Sequence, residues 1–466
     1  MYIYDSTKKV KLQFIPLEEA KASLYVCGPT VYDDAHLGHA KSALVFDLLT
    51  RVLRANGYEV TYARNITDID DKIIAKAIIE KKTIHEITDF YTDLFHNEMA
   101  KLGVKRPDIE PKATENLEAM YDLIQKLLDK GHAYETKEGD VYFDTASDKH
   151  YLTLSSRVQE DEDRQERVTS SQLKKHQADF ALWKSVKDDT ITYQSPFGAG
   201  RPGWHLECSA MIEKHLAKPN AKFAVDIHGG GADLLFPHHE NEAAQTRCAT
   251  NHSLAAYWMH NGFVNIDGRK MSKSLNNSFF LKDALKEYDG EVLRYYLLST
   301  HYRSNFNFNE EDLQTAKKRL DKIYRLKKRL FSLATYEERT EFQDALLKAL
   351  SDDLNISLAL ALIDAMLSKT NEILDSAGKH KQLKKETMAN LGFIESILGF
   401  GVKNPYDYFQ FGVDEKTKAE LERLIILRKQ AKKDKNFDLS DKLRDEILSY
   451  DVQIMDTPQG TFWEKV

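Results

Sequence analysis

The chain has 466 residues, 42% of them apolar and 10% aromatic, which is too long for one hydrophobic core and too apolar for a disordered chain. With 66 Lys and Arg against 73 Asp and Glu, the formal charge is −7, so any nucleic-acid contact must rest on local patches rather than bulk charge. Neither a secretory leader nor a run of about 18 apolar residues is evident, and the sparse Cys27, Cys208 and Cys248 do not form a disulfide framework. A cytoplasmic chain with reduced thiols and no membrane span is expected.

ASLYVCG (22 to 28) reads as a strand ending in a glycine turn, HLGHAKSALVFDLLTRVLRANG (36 to 57) as a helix, and YEVTYARNITD (58 to 68) as a second strand. Strand, helix, strand predicts a βαβ unit, whose ligand edge lies at the carboxyl ends of the strands, where Cys27 and HLGH fall. Helices are expected over roughly 69 to 101 and 112 to 130. From 131 to 200 short strand-like pieces, an acid-rich run (157 to 167) and a Pro/Gly exit predict an inserted subdomain. Sheet text resumes at FAVDIHGGG (223 to 231), before a helix opened by Pro237, GFVNIDG (262 to 268) with a DG turn, and the basic loop RKMSKS (269 to 274). Beyond Asn309 the chain reads as helical, with eight basic residues against three acidic over 311 to 335, and again over 423 to 444. Such faces are commonly just solvated.

Three short stretches could carry chemistry. In PHHENE (237 to 242), Pro237 suits a first helical turn, and both His238 (i, i+4) and His239 (i, i+3) are eligible beside Glu242. Two ligands from one helix do not complete a tetrahedral site, and the HExxH order is absent. Cys27 and Cys208 could supply two thiolates, a set suited to zinc; buried structural cysteines and a solvated helix start are the rival readings. Cys248 has no such company. In HLGH, Gly38 allows close approach of a ligand, and His36 and His39 at a helix N-terminus could donate to phosphate. Arg269, Lys270 and Lys273 could clamp a polyphosphate. Singly, each pattern also arises by chance.

Together HLGH and, far downstream, KMSKS (270 to 274) resemble the paired nucleotide-binding motifs of class I aminoacyl-tRNA synthetases. CGPTVYDDAHLGHA (27 to 40), NITDIDDKII (65 to 74), GAGRPGWHLECSAM (198 to 211), DIHGGGADLLFPHHENE (226 to 242) and DTPQGTFW (456 to 463) narrow the resemblance to cysteinyl-tRNA synthetases of bacterial type. It runs the length of the chain.

The resemblance implies an α/β fold with a Rossmann-like catalytic domain in two halves (1–130 and 201–260) around an inserted connective subdomain (131–200). A stem-contact region with the KMSKS loop (261–309), a helical bundle that binds tRNA (310–405) and a small anticodon-binding module (406–466) follow. It implies cysteine--tRNA ligation by a monomer: ATP, L-cysteine and tRNA(Cys) give cysteinyl-tRNA, AMP and diphosphate through a cysteinyl adenylate. Carried onto matching positions, the zinc ligands are Cys27, Cys208, His238 and Glu242, and the zinc takes the substrate thiolate. That choice has a physical basis, because a shape-selecting pocket separates cysteine from serine by only about 1–3 kcal/mol, whereas zinc strongly prefers a thiolate. ATP with magnesium falls to His36, Gly38, His39, Lys270 and Lys273, with the two histidines and two lysines as the catalytic set. Thr30, Trp204, His228 and Asp233 are expected around cysteine, with Gly229 and Gly230 nearby; ordinary core packing is the alternative for Trp204.

Arg428, Lys432, Lys433 and Lys435 are candidates for tRNA phosphates, and Phe437 and Trp463 could stack on anticodon bases, although a core position is the first expectation for both rings. The chain departs from the family's usual text at DDLNIS (352 to 357) and HYLTLSS (150 to 156), a helix start and a peripheral loop. Two rival functions have other requirements. A cysteine:amine ligase of the mycothiol pathway would lack the anticodon module, and a non-catalytic zinc or RNA-binding protein would not need HLGH and KMSKS together.

Overall fold

The computed structural model describes residues 1–156, 174–186, 191–266, 269–270, 280–330, 338–457 and 460–465. At its centre four parallel strands lie in the order Ser253–Asn261, Phe223–Gly231, Lys21–Val26, Glu59–Arg64. The register sets Tyr25 beside His228 and Val26 beside Gly229. The second and third of these strands are buried over nearly their whole length, as expected of a parallel sheet covered on both faces.

The crossover between Lys21–Val26 and Glu59–Arg64 is the helix Leu37–Ala55, capped by the His36 side chain and followed by Gly57 at φ +89°. Its buried residues continue, without a break in packing, into the helices Glu310–Arg329, Ile356–Asp375 and Lys381–Leu398. The central sheet and these downstream helices therefore share one hydrophobic core. A buried ion pair crosses it: Arg294 Nη2 donates to Asp47 Oδ2 at 2.6 Å, with Arg51 also on Asp47. Removing one member of such a pair costs about 3–5 kcal/mol, because the other charge is left buried alone.

The helical stretch expected over 69 to 101 is two helices, Asp71–Glu80 and Ile84–Lys101. Lys81 turns left-handed at φ +55° and Thr83 recaps the chain with Glu86, a reciprocal side-chain cap the sequence carries in TIHE. The insertion forms an antiparallel sheet of Ala133–Glu135, Val141–Phe143, Phe180–Ser185 and Gly200–Pro202. Its core includes Leu206 and Ala210 of one helix and Ala244 and Cys248 of another, so it packs directly on the two helices that carry Cys208 and Glu242. The acid-rich run at 157 to 167 and the DG turn at 267 to 268 lie outside the described residues.

Val264–Ile266 pairs antiparallel with Arg269–Lys270 and parallel with Phe306–Phe308. The C-terminal module has its own core around Leu421, Leu424, Leu443, Ile447 and Trp463, from two helices (Glu415–Lys433, Phe437–Leu448) and a hairpin (Val452–Thr457, Gly460–Lys465). Among the described residues no helix is long and apolar enough to cross a membrane.

Candidate functional site

Cys27 leaves the central sheet at its carboxyl edge, and the next residue is held against the neighbouring strand. Gly28 N donates to Asn65 Oδ1 at 2.8 Å, and a Cβ on Gly28 would meet the Asn65 carbonyl oxygen at 1.6 Å. Glycine is required there by contact. Cys208 sits inside the helix Trp204–His215. Its Sγ lies 3.6 Å from that of Cys27, and both thiols are free.

PHHENE differs from its expected form. The regular α-helix is Glu240–Ala249, and Leu235–His239 forms a wider turn in which Phe236 is extended (φ −142°, ψ 135°) and the Phe236–Pro237 bond is cis. Pro237 thus precedes the α-helix instead of opening it, because the extended Phe236 turns the chain before regular hydrogen bonding begins. His238 still reaches Glu242 one turn on: Nε2 and Oε1 are 2.9 Å apart.

Two overlapping sets of four donors result, each with its ligand atoms within 4.8 Å of one another: Cys27, Cys208, His238 and Glu242, and Cys27, His228, His239 and Glu242. Glu242 belongs to both. One oxygen faces His238 and the other faces His228 Nε2 at 2.8 Å, while His228 Nδ1 lies 3.0 Å from the Tyr25 carbonyl. His239, eligible in the sequence beside Glu242 like His238, is buried with Nε2 3.4 Å from Cys27 Sγ and Nδ1 2.7 Å from His260 Nε2. Its eligibility beside Glu242 at i, i+3 was the signal. Glu240 and Asn241 face the insertion: Glu240 Oε2 accepts from Ser155 N at 2.7 Å, and Asn241 Oδ1 from Tyr151 Oη at 2.8 Å.

The electrostatics are divided. Burial opposes ionisation of Glu242, but His228 and His238 overcome it and hold the carboxyl well below its usual range. Burial is likewise outweighed at His238, pushed up to about 10 by Glu242 and Cys208. The hydrogen bond from Cys27 brings Cys208 down to about 6, while burial and its neighbouring thiol push Cys27 up. Burial takes His205 and His260 down to about 3. The pocket therefore favours a thiolate at Cys208 and a carboxylate at Glu242 beside a protonated His238, with His205 and His260 neutral; with the His238 proton displaced, this mixed sulfur, nitrogen and oxygen set can hold a metal cation and fits the borderline-soft zinc ion.

Of these groups Cys27 borders a cavity of about 470 Å³, whose lining also includes Thr30, Trp204 and Asp233. Trp204 is 41% exposed and stacks on His238 with ring centroids 4.2 Å apart, so it is not a core residue. His228 is not in that lining; it lies behind Glu242. Another part of the lining is His36, Gly38 and His39 at the helix N-terminus, with Asn261 to Val264 also on the wall. His36 Nδ1 accepts from the amides of Gly38 (3.1 Å) and His39 (3.3 Å), and the two rings stack at 3.7 Å. The capping nitrogen of His36 is thereby committed to the helix, which leaves Nε2 as the proton-bearing atom of its neutral ring. Lys270 ends the strand that pairs with Asn265; Lys273 lies outside the described residues.

In the C-terminal module, Arg428 is buried and donates with both terminal nitrogens to Asp456, at 2.9 and 3.0 Å, with Lys432 on the same carboxylate at 2.7 Å. Arg428 was expected on a phosphate-facing surface; its charge is instead paired internally. Trp463 is in the core, as first expected, whereas Phe437 is 64% exposed. Its place at the first position of a helix, after the Asn436 cap, turns the ring outward.

Residues 13–318 match the family described as tRNA synthetases class I (C) catalytic domain. Over the full length of both chains the sequence is 74% identical to a cysteine--tRNA ligase of Sulfurimonas denitrificans and 60% identical to one of Sulfurovum sp.. A cysteine--tRNA ligase of Helicobacter pylori (strain P12) is 56% identical, again over all of both chains. Among solved structures, a Mycobacterium tuberculosis methionyl-tRNA synthetase bound by methionyl-adenylate superposes with a TM-score of 0.60 at 15% identity, over 81% of this chain and 92% of that one.

Proposed function

The chain belongs to the class I (C) tRNA synthetases, and we propose that it is a cysteine--tRNA ligase in which a zinc ion on Cys27, Cys208, His238 and Glu242 selects the substrate thiol. The observation that carries this reading is the cluster of two thiols, an imidazole and a carboxylate whose member Cys27 lines the same cavity as the HLGH helix terminus. When bound, zinc would supply a Lewis acid that takes a thiolate in preference to a hydroxyl.

The rest of the chemistry is positioning and charge stabilisation. Cysteine lies with its side chain toward Cys27 and Cys208 and against Trp204, with Thr30 and Asp233 around its polar end. Its carboxylate attacks the α-phosphorus of magnesium ATP; the bond to the β-phosphate oxygen breaks, and diphosphate leaves. Gly38 admits the phosphates close to the helix terminus, His36 and His39 donate to them, and Lys270 and Lys273 neutralise the charge that builds on diphosphate. The ribose hydroxyl of the terminal adenosine of tRNA(Cys) then attacks the acyl carbon, and AMP leaves. The basic faces of the helices beyond residue 309, with Lys433, Lys435 and the exposed Phe437, are assigned to tRNA, and one chain carries every part required.

Cysteine-dependent exchange between ATP and diphosphate, followed by transfer of cysteine to tRNA(Cys), tests the reading. Exchange without transfer, with a small amine accepting cysteine instead, would favour the amine ligase; no exchange in zinc-replete protein would exclude both enzymes.

A further inference from the structure

Lys41, two residues beyond HLGH, is fully buried. Its ammonium donates to the carbonyls of Leu297 (2.5 Å) and Thr300 (3.2 Å) and lies 5.3 Å from the centre of the Phe306 ring. The two carbonyls stand at the end of the helix Gly290–Leu298, where unpaired C=O groups and the helix dipole make the surroundings negative. This explains how a buried cation is accommodated by carbonyls and a ring face.

What Lys41 grips leads straight to the opposite part of the cavity lining. Gly262 N donates to Tyr302 O at 2.8 Å, Phe306 N to Phe263 O at 2.7 Å, and Phe263 N to Asn305 Oδ1 at 3.1 Å. A Cβ on Gly262 would meet Ser304 O at 2.4 Å, so the two segments are in direct contact. Phe306 also pairs with Val264, on the strand that turns into Arg269–Lys270. Asn261, Gly262, Phe263 and Val264 line the same cavity as His36, Gly38 and His39.

We infer that Lys41 is a positioning residue for the nucleotide: through Thr300 and Phe306 its ammonium fixes the spacing between the HLGH helix terminus and the Asn261–Val264 wall. The inference rests on the proposed adenylate-forming reaction. Neither Lys41 nor its partners touches the donors around Cys27, so its effect is confined to the nucleotide side. Burial also lowers the Lys41 ammonium to about 7, which accords with a charge held by backbone dipoles without a carboxylate partner.

The test is steady-state ATP–diphosphate exchange with Lys41→Met and Lys41→Arg in the full-length zinc-replete protein. Lys41→Met is expected to raise the KM for ATP on the order of ten- to a hundredfold, the scale of a small misplacement of a reacting group, with the KM for cysteine and the zinc content within twofold of the unaltered chain. Lys41→Arg, which keeps a cation able to reach two carbonyls, should recover most of the loss. Equal rises in both KM values, or a fall in activity that follows only the folded fraction at the assay temperature, would overturn the inference. If Lys41→Met does not accumulate folded, Asn305→Ala, which removes the acceptor of the Phe263 amide at an exposed side chain, should give the same ATP-specific rise; no such rise overturns the proposal. Inactivity of the unaltered chain would instead strike the proposed function and take this inference with it.

Discussion

Glu242 Oε2 and His228 Nε2 meet at 2.8 Å with neither side chain exposed, and this contact orients the carboxylate that His238 shares from its other oxygen. Partners behind metal ligands commonly account for 10–100-fold in metal affinity. His228→Ala is therefore expected to weaken zinc binding by about that factor while Cys27, Cys208, His238 and Glu242 all remain. Competition with a chelator, followed by zinc analysis, checks it. Unchanged retention would mean that His238 and Cys27 orient Glu242 without His228.

Cys208→Ser should lower zinc content and raise the KM for cysteine while leaving the KM for ATP near its original value. An oxygen replaces a thiolate ligand, and the nucleotide wall is untouched. Lys273→Ala divides the other way. It should slow adenylate formation on the order of a hundredfold, the scale of removing one charge-stabilising donor, with cysteine affinity and zinc unchanged. Single-turnover kinetics of adenylate formation separate the two variants.

For Phe437→Ala the expected loss lies in the tRNA-dependent step alone. Stacking of a base on an aromatic ring contributes about 1–3 kcal/mol, so the KM for tRNA(Cys) should rise by roughly 5- to 150-fold at unaltered ATP–diphosphate exchange. Asp456→Asn, by contrast, should loosen the module itself. Its carboxyl is held below the usual range by hydrogen bonds from Arg428 and Lys432, so its contribution is complete above the ordinary carboxylate pKa and is lost as the pH falls through its own, lower one. Acid unfolding of the variant, followed by Trp463 fluorescence, should begin at higher pH.

Glu98 titrates with the opposite sign. It is 2% exposed, both oxygens are without a hydrogen-bond partner, and burial followed by the charge of Asp34 raises it from 4.5 to about 7. Between those values the native chain keeps a proton that the unfolded chain has released, so stability from this group declines as the pH rises through that window. Glu98→Gln should match the parent in melting temperature at pH 5 and exceed it at pH 8. Equal melting temperatures at pH 8 would refute the buried charge.

The βαβ unit was legible because its first strand is a short apolar run ending in a glycine turn and its helix carries a terminal glycine. So were the residues of PHHENE and HLGH, whose polar side chains sit at element ends. Other features were not, each for a physical reason. The break at Lys81 needs a left-handed residue that is not glycine, and composition gives no warning of it. The inward turn of Arg428 depends on Asp456, 28 residues away on a hairpin. His239 could be seen as eligible, but its burial against Cys27 and His260 is a property of the assembled sheet. Lys41 reads as a polar interruption on an otherwise apolar helix face, and only the end of a helix some 250 residues later explains it.

Cys27 and Cys208 come from opposite sides of the insertion, and Glu242 follows both. During synthesis an emerging chain can therefore display one thiol, then two, but not four donors until more than half of it has left the ribosome. Metal capture before that point would have to use incomplete sets, with the insertion not yet anchored by Glu240 and Asn241. On the proposed zinc reading, the order of the donors along the polypeptide thus completes the set only after the insertion and the helix that bears Glu242 have been made.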